Sequence, residues 1–186
     1  MQVPADLRRV ASRGQSTAAW LALLTLLASM IVPLQAQAAV NTDVNLSGLS
    51  LIKSDRNGND FASEGLTTQD VAKLSYKWDS TNTTINPGDS FSIDLGTYFK
   101  NLENPKTIPL SLPYNGVLTE VGSCTLTEKS MECTFNEKVE ELKATGFKNF
   151  KGSGEALLLI TQATTAQSVD MTVNGSQKVS VRLPRT

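Results

Sequence analysis

No histidine occurs in the 186 residues of this chain. That excludes Ser-His-Asp and Cys-His catalysis in their usual forms. It also excludes histidine zinc sites and the commonest general acid–base at neutral pH. There are only two cysteines, and two thiols without histidine make a poor metal site. Basic runs are absent after the first 13 residues, so nothing supports nucleic-acid binding, which needs basic patches. After residue 32 no stretch is long or apolar enough to cross a bilayer.

What is present begins with an address. "MQVPADLRRVASRGQST" carries Arg8, Arg9 and Arg13, and Ala18–Val32 follows as an uninterrupted apolar run. Pro33 breaks that run, and "AQA" places small residues before a cleavage point after Ala38. This is the order of a secretory signal peptide, and the run is shorter than the ~20 residues that span a bilayer. We therefore expect residues 1–38 to be a signal peptide and residues 39–186 a secreted domain with no membrane span. Removing the leader brings the net charge from −1 to −3. About 148 residues remain, enough for one domain with a real core.

The period of the mature chain is two. "VAKLSYKW" sets Ala72, Leu74, Tyr76 and Trp78 against Lys73, Ser75 and Lys77, and "SFSIDL" sets Phe91, Ile93 and Leu95 against Ser90, Ser92 and Asp94. That alternation marks strands buried on one face. The two apolar sets are expected in one core, with Pro87-Gly88 turning the chain and fixing the register between them. "KTIPLSLP" reads as an edge or irregular strand because of Pro109. "EALLLITQ" reads as a strand covered on both sides. "SVDMTV-NG-SQKVSVRL" is a hairpin, since Asn174-Gly175 tolerates positive φ. "NEKVEELKAT" is a short crossover helix, capped by Asn136 with Val139 and Leu142 inward. The whole is an all-β sandwich.

Cys124 and Cys133 lie nine apart. A turn between Glu128 and Lys129 opposes Leu126 to Met131, Thr125 to Glu132 and Cys124 to Cys133. Directly opposed residues lie within the range a disulfide accepts, and secretion favours oxidation. Of a metal half-site, a redox centre and a staple, the pattern selects the Cys124–Cys133 staple.

The segment 74–100, with Pro87-Gly88-Asp89 followed by Phe91, Ile93 and Leu95, resembles the start of the Ig-like adhesive domain of Gram-positive surface adhesins. Residues 122–160 are similar to the next part, a hairpin with "CTF", a short acidic helix and a glycine-led strand. Fungal agglutinin-like adhesins share this order, with paired cysteines. The resemblance covers roughly residues 44–184 and implies an immunoglobulin-like β-sandwich with one short crossover helix. It also implies a non-enzymatic function in cell adhesion, with a protein or glycan ligand on a host or neighbouring cell surface, at an extracellular or cell-wall location associated with virulence. The alternative is a structural spacer in a larger surface or pilus assembly.

Many family members pair two such domains, so a second Ig-like domain is expected beyond this chain. "LPRT", Leu183–Thr186, lacks the glycine, apolar stretch and basic tail of a sortase signal. A Lys–Asn isopeptide crosslink of the family type would involve Lys53 or Lys73 with Asn174, although strand lysines are usually solvated. Asp55, Asn57, Asn59, Asp60 and Glu64 gather oxygen ligands, but the loop fails the EF-hand pattern and reads as a turn. Asp94 alternates with core residues and should point to solvent, and Glu140 and Glu141 diverge as neighbours on a helix, so neither Asp89/Asp94 nor Glu140/Glu141 makes a glycosidase pair. No cofactor or metal and no catalytic residue is expected.

Overall fold

A computed structural model describes residues 40–61 and 65–184. Residues 1–38, expected to be a signal peptide cleaved after Ala38, and also Glu64, Arg185 and Thr186, lie outside the described residues. Among the described residues there are ten strands and one helix. They are β1 (Asn45–Ser54), β2 (Val71–Asp79), β3 (Ser90–Asp94), β4 (Phe99–Asn101), β5 (Lys106–Tyr114), β6 (Val117–Leu126), β7 (Ser130–Phe135), α1 (Lys138–Ala144), β8 (Lys151–Ile160), β9 (Ser168–Val173) and β10 (Gln177–Arg182). One sheet has the order β1-β2-β8-β4 and the other β10-β9-β3-β7-β6-β5. Every named strand pair is antiparallel. The fold is an all-β sandwich.

The alternating residues build its interior. Leu74, Tyr76 and Trp78 from β2, Phe91 and Ile93 from β3, and Leu95 just beyond it are at most 2% exposed. They share one core, but the expected register between β2 and β3 does not exist, because the two strands belong to different sheets. Pro87-Gly88 lies on a crossing between layers. Trp78 and Phe91 meet across the sandwich, with ring centroids 6.1 Å apart, and Phe135 closes the cluster at 5.5 Å from Trp78 and 5.9 Å from Phe91. Two-residue periodicity reports which face is buried but not which strand is the neighbour.

Two glycines in β8 make room for those aromatics. Gly152 opposes Trp78 and Gly154 opposes Tyr76. A Cβ on Gly154 would fall 2.3 Å from the Tyr76 hydroxyl, and one on Gly152 would fall 2.8 Å from Trp78 Nε1. Each ring therefore folds over the strand beside it.

The remaining sequence expectations divide. Asn174 and Gly175 both have positive φ, and the Ser176 N–H closes the turn on the Val173 carbonyl at 3.2 Å. α1 joins β7 to β8, and so carries the chain from one sheet to the other. Val139 and Leu142 are buried, but the N-cap is Glu137 with no side-chain cap bond. Asn136 sits one residue earlier, where its Oδ1 accepts the Lys138 N–H at 2.9 Å. β8 is not covered on both sides. Ala156, Leu158 and Ile160 are buried, whereas Leu157 and Leu159 are only half-buried. Leu157 lies opposite Lys73 on the outer face, where the aliphatic stem of a lysine offers only partial cover. β4 has no counterpart in the sequence reading, since three residues are too few for a period to show.

Candidate binding crevice

β4 is the neighbour of β8 only over Leu158–Ile160. The Leu102 N–H adds one bond to the Leu157 carbonyl at 2.8 Å. From Lys151 to Ala156, β8 has no strand partner on that side. The direction of its backbone groups follows from the ladder. Leu157 and Thr161 bond toward β4, whereas the Ile160 N–H bonds toward Asp70, at the β2 side. Alternation then turns the N–H and C=O of Ser153 and Glu155 toward the open flank.

β5 is the edge of the other sheet and borders the same opening. Its hairpin with β6 turns on Asn115 and Gly116, both at positive φ, with Tyr114 opposite Val117. A two-residue turn makes that closing pair a hydrogen-bonded one. The even residues of β5 therefore bond β6, and Thr107, Pro109, Ser111 and Pro113 face outward. Prolines at two of those four positions remove donors and blunt this edge. At one end β5 comes close to β8, where a Cβ on Gly152 would fall 2.5 Å from the Ser111 carbonyl. Trp78 Nε1, buried beside the same glycine, has no hydrogen-bond partner.

Between these limits lies a crevice of about 260 Å³. Ile108, Leu126, Ala156 and Leu157 supply its apolar surface, and Lys73, Glu103, Lys106 and Glu155 supply charge. Asn57 and Gly58, from the loop after β1, form part of the wall. That loop is shaped by Asp55. Its carboxylate accepts the N–H groups of Asn57 at 2.8 Å and Asn59 at 2.9 Å, and the Asn59 amide at 2.7 Å. The Asn59 bonds lead in holding the Asp55 pKa below its ordinary value. Lys73 ties the loop to the sheet, with its ammonium 2.6 Å from Asp60 and 3.9 Å from Glu155. The hydrogen bond to Asp60 is the main cause that raises the Lys73 pKa. Glu103 pairs with Lys106.

A second cavity, of about 280 Å³, lies at the end of β8 and is more apolar. Leu66, Tyr98, Phe99, Ile160 and Leu183 line it.

Cys124 and Cys133 form a disulfide, oppose each other on β6 and β7, and are fully buried. The turn between them is closed by the Thr127 N–H on the Ser130 carbonyl at 2.9 Å. The Tyr76 hydroxyl lies 3.7 Å and 3.8 Å from the two sulfurs. Burial pushes its pKa up to about 12. Tyr76 and Trp78 are core residues. Lys53 pairs with Asp70 and Lys73 with Asp60, while the Asn174 side chain bonds the Ser92 N–H and the Val44 carbonyl. The conceivable isopeptide partners are thus engaged elsewhere. Asp60 pairs with Lys73 and Asp55 is spent within its own loop, so the oxygen-rich turn does not gather into a cage. No group of three or more potential metal-ligating side chains occurs among the described residues. Asp89 accepts the Asn86 N–H and Asp94 the Gly96 N–H. Glu140 and Glu141 pair with different lysines.

No family model and no curated protein matches the sequence. Among solved structures the fold is similar to the crystal structure of the collagen adhesin (CNA) from S. aureus. The match has a TM-score of 0.53 at 19% identity, and covers 80% of this chain and 46% of that one. The chain thus spans about half the length of that adhesin. The likeness is one of fold alone. No helix among the described residues is long and apolar enough to cross a membrane.

Proposed function

We propose that residues 39–186 form a secreted adhesin module that binds a protein ligand on a cell or matrix surface without chemistry, after removal of residues 1–38. The observation that carries this reading is the open edge of β8 beside a crevice that Ile108, Leu126, Ala156 and Leu157 line together with charged side chains. An extended polypeptide can add there as a further strand, with main-chain bonds giving affinity and the crevice giving selectivity. One solved neighbour is a collagen adhesin, so collagen heads the ligands to test. Full-length secreted chain on beads should show saturable retention on collagen or another matrix protein. Ser153→Pro should abolish it, because that N–H faces the opening and no β2 bond is lost. Absence of saturable retention on every surface would favour a spacer domain. Retention untouched by Ser153→Pro would place the site elsewhere.

A further inference from the structure

The charges around the crevice define the ligand class, on the premise that the β8 edge is the binding site. Lys73 is already satisfied by Asp60 at 2.6 Å, and Lys106 by Glu103. Glu155 has no such close partner. Its nearest cation in an ion pair is that same Lys73 at 3.9 Å, and the Ser75 hydroxyl reaches it at 3.4 Å. Its side chain is 61% exposed. Counting Asp60, the carboxylates Asp60, Glu103 and Glu155 outnumber the two lysines, and the mature chain is itself acidic.

Strand geometry places this charge relative to an added strand. Glu155 presents its backbone to the open side and its carboxylate to the outer face, beside Ser75. The residue opposite it on an added strand would put its side chain on that same outer face. The residues on either side would point the other way, toward Ala156, Ile108 and Leu126. We propose that the β8 edge selects an extended peptide carrying an apolar–basic–apolar triplet, with the arginine or lysine opposite Glu155 and its neighbours in the crevice.

Two capped heptapeptides test this, Thr-Ser-Val-Arg-Val-Ser-Thr and the same peptide with glutamate at its centre. Binding to the isotope-labelled full chain is followed by amide shifts, with Ser153 and Glu155 as reporters. The arginine peptide should bind about tenfold more tightly, the range expected for opposite against like charges directly across strands. That ratio should shrink at high salt. Glu155→Lys should reverse the preference and Glu155→Gln should flatten it, both at one exposed position where the fold tolerates change. Equal binding of both peptides at Ser153 and Glu155, unchanged in Glu155→Lys, would overturn the basic-ligand inference and leave the edge site standing. No shift at either amide with either peptide would overturn both.

Discussion

Replacing Phe91 by alanine tests the packing on which the sandwich depends. The ring is fully buried and touches aromatic side chains from both layers, with Trp78 at 6.1 Å and Phe135 at 5.9 Å. Truncation leaves a void between the sheets that neither can close, and such changes cost ~3–5 kcal/mol. The upper half of that range is expected, since two ring contacts worth ~0.5–1.5 kcal/mol each are lost together. That is a large share of the ~5–15 kcal/mol by which a domain is stable. With a urea slope of ~2 kcal/mol/M, the midpoint should fall by about 2 M. Ser92→Ala is the control. Ser92 is half-buried on the other face, and its bonds to Asn174 are made by the backbone N–H at 3.2 Å and C=O at 2.9 Å. It should cost under ~0.5 kcal/mol. Equal small losses, or a larger one at Ser92, would refute the assignment of faces.

Two further outcomes follow from the buried polar groups. Intact mass of protein from culture medium should rise by two hydrogens only after reduction, and Cys124→Ser with Cys133→Ser should lower stability by roughly 2–3 kcal/mol, the loop-closure value for so short a span; free thiols in the secreted protein would contradict this. Tyr76 should ionise at about 12, measured by absorbance near 295 nm. Because its folded pKa lies above the unfolded value of ~10, the stability it contributes is complete below pH ~10 and is lost as pH rises toward 12. A Tyr76 phenol titrating near the unfolded value of ~10 would show that Tyr76 is not sealed.

The fold was largely legible because burial and alternation are local properties. Ala72 to Trp78 and Phe91 to Leu95 announce their inner faces, and Asn174-Gly175 announces its turn. Cys124 and Cys133 follow from the register of a single hairpin. Sheet membership was not legible, because Phe91 would show the same period whether it lay beside Trp78 or across from it. The crevice was invisible for a related reason. It arises where β4 stops after three residues, and no pattern in "TYFKNLENP" states where pairing with β8 will cease. Pro109 was readable as an edge signal. That it and Pro113 share the side facing β8 depends on the hairpin turn at Asn115-Gly116, and that β8 lies across from them depends on the closure of the two sheets.

The stapled hairpin and the crevice are mechanically connected, and Asn101 is the link. Its side-chain amide donates to the carbonyls of Thr127 at 2.7 Å and Ser130 at 2.9 Å, and its backbone N–H reaches Glu128 at 2.9 Å. Lys129 adds a bond to the Phe99 carbonyl at 2.8 Å. The turn between Cys124 and Cys133 thus grips β4, and β4 sets how far the edge of β8 is covered. Asn101 is fully buried, so Asn101→Ala takes this donor from the Thr127 carbonyl at a cost of ~1–3 kcal/mol where it stays dry, while the Ser130 carbonyl keeps the Thr127 N–H. The expected result is local release of β4 ahead of global unfolding. Hydrogen exchange reports it directly, because the Leu102 N–H bonded to Leu157 marks the point where cover ends. In Asn101→Ala that amide should exchange much faster while Met131 and Cys133, in the stapled hairpin, keep their protection relative to global stability. If Leu102 and Met131 instead accelerate by the same factor, β4 opens only with the whole domain, and the grip of the hairpin on the crevice is not a separate device.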